Sequence, residues 1–403
     1  MKKYNQNLLW ISITTLALTA CGGSSSSSDD TTEAEEHDHE FSILVAQDNT
    51  SSLSLLEEGE LEVLDDAAAG NGATIVLGET GAYAAVLANT TVNFVHGLHD
   101  EEEETDEEHE EEAHVLDYSL TGSQVITTGG HFAVLDAGTT TFIEYDELEN
   151  DTPATEDTSA LSLTETYPAL MIDEEHELVM VFDGTDAKLY EDTTEEDSFA
   201  CANPSSHGQI DGLVIVTCDA GALAVVIEED ETTAEHTFTD SMLTLDGNDE
   251  NYVWRAQGDV VVGFESGTKN YAIIELDGNS VEVSNSFVFA GNICDIQLDS
   301  HEQDILAMTL GGTFVALDHE GTELQSIALD FSTASTCDDF VMAAADKTAI
   351  VVDNNAQKGY ELDVEESETE SASYHLHEDF DLDVSDIASM VVFHEKDESE
   401  HEH

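Results

Sequence analysis

The feature that most constrains this chain is a recurrence of short apolar blocks, five or six residues each, separated by Gly, Asp and Asn. They run through Ala73 to Leu77, Tyr83 to Leu87, Gln124 to Thr128, His131 to Asp136, Leu178 to Phe182, Leu213 to Thr217, Ala222 to Ile227, Val260 to Phe264, Tyr271 to Leu276, Ile305 to Thr309, Thr313 to Leu317 and Thr348 to Asp353. Blocks of this length, rich in β-branched residues, read as strands, and many come in pairs across a tight turn. Ile305 to Thr309 and Thr313 to Leu317, for example, flank Gly311-Gly312, which is hairpin chemistry. No long 3.6-residue pattern competes, and the chain has only 3 prolines. These observations predict an all-β protein. A strand pair recurring roughly every 40 residues fits the blade period of a β-propeller, here a single one of seven or eight blades spanning residues 41–395. A pair of β-sandwiches is the rival, because the repeats share no sharp signature.

Charge limits the partners. With 8 Lys and Arg against 91 Asp and Glu the formal net charge is -83, so phosphate backbones and anionic headgroups would be repelled and no nucleic acid partner is expected. The 40% hydrophobic content still suffices for a sizeable core. Runs of like charge also serve as solvated faces or as salt-adapted solubility, so acidity alone assigns no function.

The first residues read as an address. Lys2 and Lys3 precede an apolar run, Leu8 to Leu18, that is short for a membrane span, and Leu18-Thr19-Ala20-Cys21 resembles the bacterial lipoprotein signal box. Residues 1–20 are then a lipoprotein signal peptide, Cys21 the lipidated residue, and residues 21–40, with Ser24 to Ser28, a flexible Ser, acidic and His tether. A transmembrane anchor is the alternative. The expected location is the bacterial cell envelope, facing the periplasm, with the outer membrane favoured because the residue after Cys21 is not Asp, and with the lipid as the only membrane attachment. In that oxidising compartment Cys201, Cys218, Cys294 and Cys337 favour two disulfides over thiolate metal ligands. Three connectivities are open. Cys201–Cys218 with Cys294–Cys337 is preferred, because each pair joins neighbouring loops and strands of one region.

Histidines fall among the carboxylates. His96 and His99, in Val95-His96-Gly97-Leu98-His99, lead into a loop at residues 96–114 that also holds His109 and His114, and 11 of the residues from Asp100 to Ala113 are Asp or Glu. His37-Asp38-His39, His375 with His377, and the acidic and His tail at 396–403 repeat the association. Neutral imidazole with carboxylate oxygen suits Zn²⁺, and a His-x2-His spacing lets two rings meet one ion. Since propeller loops gather on one face, His131 and His207 are candidate further ligands, each also readable as a satisfied structural histidine. Copper or nickel would suit the same donors.

Cys201-Ala202-Asn203-Pro204, Ser206-His207-Gly208 and Val214 to Gly221, ending Cys218-Asp219-Ala220-Gly221, resemble a segment of the AztD-like periplasmic zinc metallochaperones. His96-Gly97-Leu98-His99 is similar to the family's His-Gly-x-His, Gly129 to Asp136 to its Gly-rich strand with histidine, and Trp254 to Asp259 through Gly267-Thr268-Lys269 to a later blade, so that the likeness covers most of residues 41–353. The resemblance implies a β-propeller that binds zinc and passes it to the solute-binding protein of an ABC zinc importer, helped by a mobile His-containing N-terminal segment, here His37 and His39. Two features depart from the family pattern. Tyr167-Pro168-Ala169-Leu170 stands where a His-His-Gly is expected, and the signal box would tether the chain.

Metal capture and transfer is therefore the expected function, by ligand exchange and without catalysis. The expected ligands of Zn²⁺ are His96, His99, His131 and His207, with His37, His39, His109 and His114 as accessory donors. A hydrolase is disfavoured because Ser206-His207 sits in no strand–turn–helix elbow. The alternative is a lipid-tethered propeller that serves as an interaction scaffold and buffers metal non-specifically through its acids.

Overall fold

Short apolar blocks become strands here because most are buried on both sides. In the second strand of blade 5 below, all six residues of Leu213–Cys218 are buried, with Leu213 and Ile215 packed towards one neighbouring blade and Val214, Val216 and Cys218 towards the other. The period-two alternation of a strand thus feeds two cores at once.

The computed structural model describes residues 42–393 apart from 49–51, 58–59, 69–72, 98–112, 151, 175, 230–235, 300–302, 333, 346–347, 368–369 and 383–385. Cys21, His37, His39, His99, His109 and the tail at 396–403 lie outside the described residues. The described strands form eight four-stranded antiparallel sheets, which settles the blade count at eight within the predicted propeller.

Blade 1 combines Ile387–Phe393 with Ser42–Gln47, Ser52–Glu57 and Glu60–Ala68. Blade 2 is Thr74–Leu77, Tyr83–Ala88, Thr91–His96 and His114–Thr121; blade 3 is Gln124–Thr128, His131–Asp136, Thr139–Glu144 and Glu156–Asp157. Blade 4 is Tyr167–Asp173, Leu178–Phe182, Asp186–Glu191 and Thr194–Ala200; blade 5 is Ser206–Ile210, Leu213–Cys218, Gly221–Glu229 and His236–Met242. Blade 6 is Val253–Gln257, Val260–Phe264, Tyr271–Asp277 and Ser280–Ser284; blade 7 is Ile293–Leu298, Ile305–Thr309, Thr313–Leu317 and Glu323–Ala328. Blade 8 is Phe340–Ala345, Thr348–Asp353, Lys358–Ser367 and Glu370–Asp381.

Closure is a matter of chain order. The C-terminal strand Ile387–Phe393 pairs antiparallel with the N-terminal Ser42–Gln47, so blade 1 is stitched from both ends of the described chain, which closes the ring. Its first strand packs against the first strands of blade 8 and of blade 2. Eight apolar clusters fill the wedges, one between each pair of neighbours, ending with Ile43, Val45 and Val392 against Ile350 and Val352 between blades 1 and 8.

The disulfides are Cys201–Cys218 and Cys294–Cys337, the pairing preferred from the sequence. Each crosses a blade boundary: Cys201 follows the last strand of blade 4 and Cys218 ends the second of blade 5, while Cys294 lies in the first strand of blade 7 and Cys337 just precedes blade 8.

Because each blade is an antiparallel meander, its first-to-second and third-to-fourth connections leave on the same face of the ring. His96, His114, His131, His176 and His236 all sit at strand ends or turns of that kind.

Candidate metal centre

Blade 4 supplies the first ligands through a tight turn. Its first strand ends at Asp173, and the chain reverses through Glu177, whose φ of 50° is left-handed and whose N–H donates to the Glu174 carbonyl at 3.1 Å. The reversal brings His176 back over Asp173: its backbone N–H donates to Oδ1 at 3.2 Å and its ring Nδ1 lies 2.8 Å from Oδ2. Asp173 so placed caps its own turn, as Asx residues do.

Blade 5 supplies the third. His236 opens its outermost strand opposite Glu229, its side chain only 2% exposed, with Nε2 3.3 Å from the same Asp173 Oδ2. The His236 ring stacks on Phe238 at 6.2 Å and meets the His176 ring edge-on at 5.2 Å. Its Nδ1 is buried and has no hydrogen-bond partner among the described residues. One ligand atom from each of Asp173, His176 and His236 falls within 4.8 Å of the others. Burial raises the Asp173 carboxyl, but the bonds from the His176 ring and backbone and from His236 outweigh it, so the group lies below the usual carboxylate range and stays anionic. An anion between two imidazoles, with two His and one carboxylate as donors, is a set that suits Zn²⁺.

At the acidic loop, His96 ends the third strand of blade 2 and His114 begins the fourth, paired in register. Their ring centroids are 5.5 Å apart, and Tyr83, the cross-strand partner of His96 on the other side, stacks on it at 4.6 Å. Two imidazoles therefore stand side by side at the stem of the segment that carries His99, His109 and the carboxylate run, residues 98–112 of which lie outside the described set.

His131 follows the turn Gly129-Gly130, and donates from Nδ1 to the Gly129 carbonyl at 2.6 Å, which leaves Nε2 as its basic nitrogen. His207 has both nitrogens engaged: Nε2 donates to the Thr127 carbonyl at 3.0 Å, and Nδ1 accepts from the Tyr167 hydroxyl at 3.0 Å. Burial pushes its pKa down to about 4, against the opposing pull of the Thr127 carbonyl. It is a neutral ring tying blades 3, 4 and 5 together. Among the described residues, the groups with three ligand atoms mutually within 4.8 Å are Asp173, His176, His236 and Glu361, Asp363, His377; His96, His114, His131 and His207 belong to neither.

No protein-family model matches the chain and no curated protein matches it. Among solved structures, AztD from Citrobacter koseri superposes with a TM-score of 0.64 at 13% identity, over 87% of this chain and 97% of that one. Its apo form gives 0.65 at 12% identity, over the same shares of each chain. This chain has the fold of AztD.

At such identity the likeness to AztD is one of fold, and the ligands have to be argued from the chain's own residues. Asp173, His176 and His236 were not legible in the sequence as a set. Asp173-x2-His176 occupies a turn between two strands, and His236 lies 63 positions beyond Asp173, at the end of an acidic hairpin. The local signal was an Asp and a His three apart at a strand end; the partner ring comes from packing one AztD-like blade against the next.

Proposed function

We propose that this chain is a zinc-binding metallochaperone of the bacterial envelope, which captures Zn²⁺ through histidine and carboxylate ligands and passes it to the solute-binding protein of a zinc ABC importer. The observation that carries this reading is the convergence of Asp173, His176 and His236 from two blades, with a buried imidazole around one carboxylate oxygen. The AztD fold and the motifs resembling that family's support the same reading, and the signal box with Cys21 supports a lipid-tethered form facing the periplasm.

Capture and transfer are ligand exchange. The carboxylates between Asp100 and Glu112 raise the local cation concentration, and His96 and His114, with His99 and His109 in the loop, offer imidazoles at its stem. In the Asp173 group, Asp173 Oδ2, His176 Nδ1 and His236 Nε2 would be the ligands of Zn²⁺, each ring carrying its proton on the other nitrogen. A three-ligand shell leaves a fourth position where a donor from the receiving protein can bind before the others release. His131, His207, His37 and His39 remain candidate ligands of the loading path.

Competition with a chromogenic chelator on the mature protein, with the lipid on Cys21 read by mass spectrometry, tests the reading. His176→Ala with His236→Ala should weaken the tightest zinc equivalent by about 100-fold or more, whereas His96→Ala with His99→Ala should slow loading or remove weaker equivalents. Affinity should fall as pH drops below about 6.5, where free imidazole protonates. Unchanged tight binding in the His176 and His236 variant, or an affinity flat between neutral and mildly acidic pH, would sink it.

A further inference from the structure

The two imidazoles of the Asp173 group differ in the surroundings of the nitrogen that faces away from the carboxylate. His176 presents Nδ1 to Asp173 Oδ2, and its side chain is 22% exposed. His236 presents Nε2 to the same oxygen, and its side chain is 2% exposed. The His236 ring is also fixed in place, lying nearly parallel to Phe238, at an interplanar angle of 12°, and edge-on to the His176 ring at 79°. Phe238 in turn packs with Ile172 and Ile227 against the apolar cluster between blades 4 and 5. Of the two outward nitrogens, only Nδ1 of His236 is buried without a hydrogen-bond partner among the described residues.

A neutral imidazole carries one hydrogen, and ligation decides where it sits. Where Nε2 of His236 donates to Asp173 Oδ2, across 3.3 Å, the hydrogen is on Nε2 and Nδ1 keeps a bare lone pair. Where Nε2 gives its lone pair to Zn²⁺, the hydrogen has to be on Nδ1, and a buried N–H then stands without an acceptor. A ligating histidine ordinarily donates that hydrogen to a carboxylate or a carbonyl, which orients the ring and raises its basicity, and loss of such an acceptor costs about 10–100-fold in affinity. His176 does not bear this cost, since its outward Nε2 is not a buried, unpaired atom. Resting on the assignment of Zn²⁺ to the Asp173 group, we infer that His236 is the releasing ligand of that site. The fold holds its ring at the ion but withholds the acceptor that would make the bond durable. His236 therefore lets go first, and a donor from the receiving protein takes its place while Asp173 and His176 still hold the ion.

The test uses the full mature protein loaded with Zn²⁺ and labelled with nitrogen-15 histidine. Nuclear magnetic resonance should find the His236 proton on Nδ1, without the downfield displacement that an acceptor produces. Release of Zn²⁺ to a chelator, followed by stopped flow, should slow about tenfold when His236 is replaced by Nδ1-methylhistidine, which keeps Nε2 as a ligand and has no N–H to satisfy. If near-ultraviolet circular dichroism shows that the methyl group disturbs folding, the single substitutions decide: His236→Ala should cost about tenfold in affinity or less, and His176→Ala about 100-fold. A downfield His236 Nδ1 proton, release that is no slower in a correctly folded methylhistidine protein, or a His236→Ala loss as large as that of His176→Ala overturns the inference and leaves the zinc site standing. Affinity untouched by either substitution removes the site itself, and the inference with it.

Discussion

A single imidazole shows how a residue's environment decides its role. His207 donates to Thr127 and accepts from Tyr167, and burial, against the pull of the Thr127 carbonyl, holds its ring neutral, with a pKa near 4 in the folded chain against about 6.5 when unfolded. The unfolded state therefore binds more protons between those values. The contribution of His207 is complete above about pH 6.5 and is lost as pH falls towards 4, on the order of 3 kcal/mol in all. His207→Gln should cost stability at neutral pH and flatten the dependence between pH 6.5 and 4, measured by urea unfolding across that range; an unchanged slope would contradict a neutral buried ring. The sequence named His207 and offered two readings of it. Only its partners, 80 and 40 positions away, distinguish a ring with both nitrogens occupied from one with a nitrogen to offer.

At the level of elements, hairpin chemistry was the most legible part of the chain. Gly129-Gly130 separates strands whose ends, Thr128 and His131, pair directly, and both glycines have positive φ, 48° and 77°, as a two-residue type I′ turn requires. At Gly129 there is a further demand, since a Cβ would stand 2.7 Å from the Met171 carbonyl of the next blade, whereas at Gly130 it would meet nothing within 4 Å. Gly129→Ala should therefore destabilise by about 2–3 kcal/mol and Gly130→Ala by about 1 kcal/mol, read from denaturant midpoints. Equal costs would show that the blade contact does not matter. Strand positions such as His131–Asp136 and Ile305–Thr309 follow the apolar blocks to the residue, because burial on both faces leaves no room for polar interruption. The outer strands, such as Thr194–Ala200 with its mostly exposed acids, are not legible in the sequence, since their polar runs carry little periodicity and they are set by pairing with the strand inside them.

For the whole molecule, closure is the decisive feature. Ile387–Phe393 supplies the first strand of a blade whose other three strands begin at Ser42, and its Val391 and Phe393 pack towards blade 2 while Met390 and Val392 pack towards blade 8. Ending the chain at residue 386 should unpair the edge of Ser42–Gln47 and empty two wedges at once, turning a cooperative unfolding transition into aggregation or stepwise melting. Calorimetry on the truncated and full chains reads this directly. A truncated chain that melts in one sharp transition at the original temperature would argue against a ring held by both ends.

The sequence by itself determined the class of the protein: all-β, blade-like in period, strongly anionic, with a pool of histidines fit for a divalent cation and four cysteines in two bridges. Those properties are local or additive, carried by alternation, turn residues and net charge. Which histidines act together was decided by tertiary structure alone. Asp173, His176 and His236 meet because neighbouring blades pack face to face, and His377 meets Asp363 across a bulged pair of strands. Metal ligation needs donors within a few ångströms of one point, and the distance along a chain does not fix the distance between two of its loops.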